Sequence, residues 1–414
     1  MSDLLAAYDK VASASAVDHL RQLAAPLKGL RVLHINSTRK GGGVAEILRK
    51  LIPLKCALGL DASWEVINGA PAFYRCTKTF HNALQGNHLE PAEEELHAYE
   101  ESNRAFAEEH RALLEEADVV FIHDPQPAPA LAFTPNRRGT WIWRCHIDIS
   151  RPYRPVWRYL RNWVDDYDAS IYSLPQFSRR LQHPQYIIPP SIDPLSEKNI
   201  ELPASEVEAV FPRFDLDPQR PIILQVSRFD RFKDPIGVIQ AYRLAKRFAP
   251  LQLVLAGGGA SDDPEGEAVL EDVQRAASDD PDIHILLLPA DAHRTINALQ
   301  RAADIVLQKS VKEGFGLTVT EAMWKYKPVI GGDVGGIRLQ VANHFTGFLV
   351  RTPEGAALRI RYLLHRRQRL LEMGERAHRH VRENFLLTRH LRDYLALMLG
   401  LLHKSEDRIE VGAA

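Results

Sequence analysis

The chain has 414 residues, 45% of them hydrophobic and 25% charged, which excludes a disordered or fibrous protein and makes two domains the expectation. Lys and Arg number 52 against 53 Asp and Glu, a net charge of −1, so there is no global attraction to nucleic acid or to an anionic membrane. Cys56, Cys76 and Cys145 are few, odd in number and without metal spacing, which suits a reducing compartment and argues against a disulfide framework.

The N-terminal stretch "MSDLLAAYDKVASASAVDHL" reads as an acid-containing amphipathic helix and not as a signal sequence. No apolar run approaches the roughly 20 residues that span a bilayer, so a soluble cytoplasmic protein without a membrane partner is expected. The runs "LRVLHI" (30–35), "DVVFIH" (118–123), "TWIWRCH" (140–146) and "ASIYSL" (169–174) read as buried strands closed by polar, Pro or Gly residues. Charged helical stretches separate them, above all "PAEEELHAYEESNRAFAEEHRALLEEAD", whose charges form a solvated face. The second half repeats the scheme with "PIILQVS" (221–227), "LQLVLAG" (251–257), "DIHILLL" (282–288), "DIVLQ" (304–308) and "PVIGG" (328–332). Such alternation predicts an α/β fold with parallel sheets covered by helices on both faces. The proline-rich segment "YIIPPSIDPLSEKNIELPASEV" reads as a linker dividing a Rossmann-like domain over 1–200 from a second over 201–385. A ligand cleft is expected between them, so the loops at the carboxyl ends of the strands carry the most weight.

The first such loop holds three consecutive glycines, Gly41 to Gly43, opening a helix whose apolar positions include Val44, Ile47, Leu48, Leu51 and Ile52. Glycines let a ligand approach the backbone, and a helix N-terminus offers free N–H groups to an anion. A flexible turn entering a helix reads equally from the same residues, and neither the dinucleotide nor the P-loop fingerprint is present. After the next strands, "FIHDPQPAP" and "WIWRCHIDIS" bring Asp124 and His146 to strand ends, with Arg144 and Asp148 beside His146. These suit a sugar or another polar substrate, although a lone histidine also reads as structural or exposed. His378 and His380 sit two apart on a helix and cannot share a ligand.

In the second half, Arg228 and Lys233 follow a strand in "QVSRFDRFKDP" and would neutralise a diphosphate, although two such residues also read as a solvated loop. "VLAGGGASDDPEG" permits close approach with little specificity. "SVKEGFGLTVTEAMWKYKPVIGGDVGG" carries Glu313 and Glu321, eight positions apart. On a continuous helix they would stand about 80° and about 12 Å apart. The glycines instead predict a loop through "KEGFG" and a helix from near Leu317, its N-terminus facing an anion. That geometry is poor for a glycosidase pair, which flanks one bond at about 5–9 Å. It suits two separate hydroxyl-binding acids. The triplets Asp215/Asp217 and Asp280/Asp282 read as surface acids, so no metal site is expected.

Taken together, the glycine loop, Arg228 with Lys233, and Glu313 with Glu321 resemble the retaining nucleotide-sugar glycosyltransferases of the glycogen synthase and sucrose synthase type. These have the GT-B architecture, two facing Rossmann-like domains with a deep interdomain cleft. The stretches "NSTRKGGGVAEIL", "FHNALQG", "HDPQP", "WRCHIDIS" and "IPPSIDPLSEKN" are similar to the narrower family of glycosyl-transferring trehalose synthases. Fungal-type trehalose phosphorylases share parts of these motifs.

The resemblance implies transfer of glucose from ADP- or UDP-glucose to glucose, forming α,α-trehalose. Gly42 and Gly43 would lie against the donor diphosphate, which Arg228 and Lys233 would neutralise as it leaves. Glu313 would bind donor-glucose hydroxyls, with the backbone of Gly314, Phe315, Gly316 and Leu317 beside the sugar and phosphates. Glu321 would bind the ribose, and the base would pack near Leu288. His146 would touch the donor sugar at the reacting centre, Asp124 would orient the acceptor, and Asp148 would join it there. The departing phosphate would take the acceptor's proton, so neither a nucleophilic carboxylate, a tightly bound cofactor nor a metal is called for. The loop "GGDVGGIRLQ" lacks the glutamate that many relatives carry. The last segment, 386–414, would cross back to the first domain as a helix and guide hinge closure. The expected partners are the nucleotide sugar, glucose or trehalose, and a second copy in a homodimer. A phosphorylase, or transfer to another acceptor, stays open.

Overall fold

The computed structural model describes residues 2–39, 42–258 and 264–403. Gly41 of the first glycine run, Gly259 of the second and the last residues of the 386–414 segment lie outside that description. The chain folds as two compact units, one of residues 1–191 with those from Leu387 on, the other Ile192–Leu386.

The first unit is built on strands β1 (Arg31–Asn36), β2 (Asp61–Val66), β3 (Val119–His123), β4 (Thr140–Cys145), β5 (Ala169–Tyr172) and β6 (Gln185–Ile187). All pair in parallel, in the order β2-β1-β3-β4-β5-β6. Every residue of β3 is buried, because helices cover both faces of a parallel sheet. Trp141, Trp143, Phe73, Phe80 and Tyr99 fill the space beneath those helices. The N-terminal stretch is not one helix: Ser2–Val11 ends, and Ser13 caps a new helix, Ala14–Ala24, by accepting the N–H of Ala16 at 3.2 Å. The helix Leu387–Leu402 packs against Ala14–Ala24 in this unit.

The second unit carries β7 (Ile222–Val226), β8 (Gln252–Gly257), β9 (Ile283–Leu287), β10 (Ile305–Gln308), β11 (Val329–Gly332) and β12 (Gly347–Val350). Their order is β12-β11-β10-β7-β8-β9, again all parallel. Leu253, Leu255, Ile305, Leu307 and Ile330 form its core with Val238 and Tyr242 of the helix Pro235–Lys246. Strand order reverses between β1 and β3 in one unit and between β7 and β10 in the other. Ligands of doubly wound sheets bind at such switch points, outside the carboxyl ends of the strands.

Strands β2, β6 and β12 are not evident from the sequence, and all three are sheet edges. In β2 a single residue, Trp64, is buried, so no apolar run marks the strand. The acids Asp217, Asp280 and Asp282 are not free surface acids either. Arg220 bridges Asp217 and Asp282, at 3.0 and 2.7 Å, and Lys246 joins Asp282 at 2.8 Å and also meets Asp280. Among the described residues no helix is long and apolar enough to cross a membrane.

Candidate active site

In the second unit the loops after β7 and β10 meet at the switch point. Asp230 turns the first loop by accepting the N–H of Phe232 at 2.7 Å, and Phe232 O then accepts the N–H of Val311 at 2.9 Å. This junction brings Lys233 to Glu313: Lys233 Nζ donates to Glu313 Oε2 at 2.6 Å, and Ser310 Oγ donates to the same oxygen at 3.1 Å. Gln225, buried in β7, fixes the loop by donating to Lys233 O at 2.8 Å. Arg228 stands apart from this cluster. Its side chain is 64% exposed, with Asp230 at 3.6 Å.

The "KEGFG" stretch is a loop, and the helix Leu317–Trp324 begins after it. Gly316 takes the N-cap position at φ 87°, a left-handed conformation that favours glycine, and supplies no side-chain cap to the first turn. Phe315 is buried against Phe385, and its carbonyl accepts from Gln340 Nε2. Glu321 follows in the second turn and is buried. Beside it, burial lowers the amine of Lys325 to about 7, while the Glu321 charge opposes the shift. Lys325 Nζ donates to Asn199 Oδ1 at 3.0 Å and to Glu321 O at 3.1 Å.

The glycines of "GGDVGG" have a role the sequence does not reveal. A Cβ on Gly335 would stand 1.7 Å from Glu313 O, and one on Gly336 would stand 2.4 Å from the Phe315 Cα. These glycines let the loop after β11 lie flat on the Glu313 loop and hold it. Gly257 likewise answers to packing, since its Cβ would meet Ser227 O at 1.8 Å. Leu288 is buried at the end of β9 and donates its N–H to Gly257 O at 2.8 Å. His378 packs between Trp324 and Tyr326, with ring centroids 4.3 and 3.9 Å away.

In the first unit Asp124 and His146 come together at the ends of β3 and β4. Asp124 takes φ 65°, and its Oδ1 accepts the backbone N–H of His146 at 2.7 Å. Burial pushes its carboxyl up to about 7, against the opposing pull of that N–H and of Arg144. Arg144 is fully buried, and its Nε and Nη1 have no hydrogen-bond partner among the described residues. Tyr99 and Asn103, from the helix Glu93–Glu109, donate to Pro125 O and Gln126 O and so pin the loop carrying Asp124. Asp148 Oδ1 accepts the N–H of Ser150 at 2.9 Å, within its own turn. Gly42 caps the helix Gly43–Ala57 at φ 78°, and a Cβ there would meet nothing within 4 Å. A cavity of about 840 Å³ opens at the ends of β1 and β2, lined by Arg39, Glu65, Asn68, Tyr74 and His110 among others.

Sequence reasoning passed over Lys55, His34 and His123, all fully or nearly fully buried. His123 Nδ1 lies 3.0 Å from His146 Nε2. The available signal was Lys55 itself, which falls four residues after Leu51 and seven after Leu48 on the apolar stripe of its helix.

Residues 34–179 match the family model described as "Trehalose synthase, N-terminal domain", and residues 206–380 match "Glycosyl transferases group 1". The chain is 46% identical over 399 residues to a trehalose synthase of Pyrococcus horikoshii, covering 95% of each chain. It belongs to the trehalose synthase family. Membership makes it a hexosyltransferase with a trehalose-related activity. It is also 29% identical over 401 residues to a trehalose phosphorylase of Pleurotus pulmonarius, covering 82% of this chain and 52% of that one. Among solved structures, an α,α-trehalose 6-phosphate synthase from Burkholderia multivorans matches with a TM-score of 0.73 at 15% identity, covering 92% of this chain and 100% of that one. At that identity the likeness concerns the fold, which is that of the GT-B glycosyltransferases.

Proposed function

We propose that the protein is a retaining glucosyltransferase that moves glucose from a nucleoside diphosphate glucose to free glucose, giving α,α-trehalose. The observation that carries this reading is the Lys233–Glu313 pair at the switch point of the second unit. A cation and a hydroxyl-accepting carboxylate stand side by side where a doubly wound sheet binds its ligand.

In this reading Lys233 and Arg228 hold the diphosphate and offset its charge as the bond from sugar C1 to phosphate oxygen breaks. Such stabilisation of a leaving group is commonly the largest single contribution to catalysis. Glu313 accepts from donor-sugar hydroxyls, the N–H groups of Gly314 to Leu317 face the sugar and phosphates, and Glu321 takes the ribose. In the first unit Gly42 and Gly43 lie against the diphosphate, and His146 contacts the transferred sugar. Asp124 and Asp148 hold the acceptor. The acceptor hydroxyl forms its bond to C1 on the face the phosphate leaves, and its proton passes to the departing phosphate oxygen. Configuration is thereby retained without a protein nucleophile and without a metal, the two cations balancing the charge.

The test is a product assay with glucose and a panel of nucleotide sugars. Trehalose with stoichiometric nucleoside diphosphate supports the reading. Trehalose formed from glucose 1-phosphate with release of phosphate, and from no nucleotide sugar, would make the protein a phosphorylase instead.

A further inference from the structure

A polar string crosses the core of the first unit where its neighbours are apolar. Lys55 Nζ lies 2.8 Å from His34 Nε2, His34 Nδ1 lies 2.9 Å from His123 Nε2, and His123 Nδ1 lies 3.0 Å from His146 Nε2. The pleat explains the path. His34 stands beside Phe121 on β3 and His123 beside Arg144 on β4, so each successive histidine lies one strand over and two residues nearer the carboxyl ends. All three therefore share one face of the sheet and climb toward the switch-point edge. Lys55 enters from the helix over that face, its Nζ 4.6 Å from the Phe121 ring centre and 5.2 Å from that of Tyr394.

Such a string has a sense. Burial drives His123 down to about 3 and holds His34 and His146 well below the usual histidine range, so the imidazoles are neutral. A neutral imidazole has one N–H and one bare nitrogen, whereas an ammonium only donates. If Lys55 donates to His34 Nε2, the His34 proton must sit on Nδ1 and is given to His123 Nε2. The same step repeats from His123 Nδ1 to His146 Nε2. The reverse order requires Lys55 to be an uncharged amine accepting from His34. Burial brings Lys55 to about 7, so the ammonium prevails below neutrality.

We propose that Lys55, acting through His34 and His123, fixes the tautomer of His146 so that its Nδ1–H is presented to the transferred sugar as a hydrogen-bond donor. This rests on the reading above that His146 contacts that sugar. Lys55, His34 and His123 are positioning residues: they touch no substrate and act through the ring they orient. With Nε2 occupied by the proton of His123, His146 has no bare nitrogen to serve as a base. The backbone N–H of His146 on Asp124 fixes the other side of the same residue.

The experiment is long-range proton–nitrogen NMR on the full chain labelled at histidine nitrogen, at a pH just below neutrality, with kcat measured alongside. The expected wild-type result is Nδ1–H at His34, His123 and His146. In Lys55→Met and in His123→Phe the His146 signals should shift toward the other tautomer, with kcat down about tenfold, the loss of one well-oriented hydrogen bond. Nε2–H at His146 in the wild type, or an unmoved His146 tautomer in both variants, overturns the proposal. If Lys55→Met does not fold, the wild type and His123→Phe decide it, because the second cut leaves the cation in place. Full transfer by His146→Ala would overturn the sugar contact while leaving the ordering of the ring by Lys55 standing, so the two failures are distinguishable.

Discussion

Lys233 Nζ lies 2.6 Å from Glu313 Oε2 although 80 residues separate them, and their side chains are only 19% and 9% exposed. The pair exists because β10 inserts next to β7, so that the loops leaving both strands end at one point. Without ligand each charge compensates the other. In the proposed reaction a bound diphosphate would give Lys233 a second anion to hold and free Glu313 for hydroxyl groups.

Lys233→Ala should therefore act on both function and fold. Transition-state charge is left without a nearby cation, so kcat is expected to fall about 10²–10³-fold. The Glu313 carboxylate also loses its cation and keeps only Ser310 Oγ, at a cost of about 1–3 kcal/mol. Steady-state kinetics and denaturant unfolding check the two effects, and Lys233→Ala with Glu313→Gln should recover stability but not activity.

Arg228→Ala should separate the same two effects. Its side chain is 64% exposed and its contact with Asp230 is long at 3.6 Å, so stability should change by less than about 0.5 kcal/mol. Activity should still fall at least tenfold, because in the proposed reaction this exposed guanidinium holds the donor diphosphate. Equal Tm with unreduced kcat would remove Arg228 from the site.

Two glycine substitutions should differ in kind. Gly335→Ala meets Glu313 O at 1.7 Å, so the loops must part and both stability and kcat should drop, the former by about 2–3 kcal/mol. At Gly42 the obstacle is the backbone, whose φ of 78° and ψ of 154° fall in a region essentially confined to glycine, and no atom lies within 4 Å, so Gly42→Ala should cost about 1–3 kcal/mol of backbone strain. Its larger effect should be on KM for the donor. Thermal unfolding and donor titration distinguish the two cases.

Much of this arrangement is legible in the residues. Eight interior strands announce themselves as continuous apolar runs because parallel sheets bury both faces, and the edge strand Ile283–Leu287 is apolar as well although it is partly exposed. The other three edges, Asp61–Val66 among them, do not, since partial exposure there leaves no apolar run. At the site, Arg228, Lys233 and Glu313 stand out in the sequence as charges in loops that follow buried strands, but a solvated loop reads from the same residues, and only the fold brings Lys233 to Glu313. The histidine string is not, because His34 and His123 are 89 residues apart and each looks like one polar residue inside an apolar strand. Register, which sets them one strand and two residues apart, is a property of the folded sheet alone. The same holds for Gly335, whose need for close approach depends on where Glu313 O comes to rest.

Stability should depend on pH through the same string. Buried His123 binds no proton above about 3 in the folded state, whereas an unfolded histidine does so below about 6.5. Its contribution is thus whole above about 6.5 and is lost as pH falls, about 2 kcal/mol by pH 5. His34 and His146 shift in the same direction. Asp124 runs the other way: raised to about 7, it favours the folded state at low pH and loses that contribution as pH rises through 7. The three histidines outweigh the single carboxyl, so Tm should fall between pH 7 and pH 5. His123→Phe should flatten that slope, and Asp124→Asn should steepen it.

The most direct measurement follows label from C1 of a nucleotide-activated glucose, incubated with unlabelled glucose and the full chain, by carbon NMR. The expected result is one labelled α-anomeric carbon per trehalose, with one nucleoside diphosphate released for each disaccharide. Label appearing as free glucose, in a β linkage, or only when glucose 1-phosphate replaces the nucleotide sugar would contradict retaining transfer from a nucleotide donor.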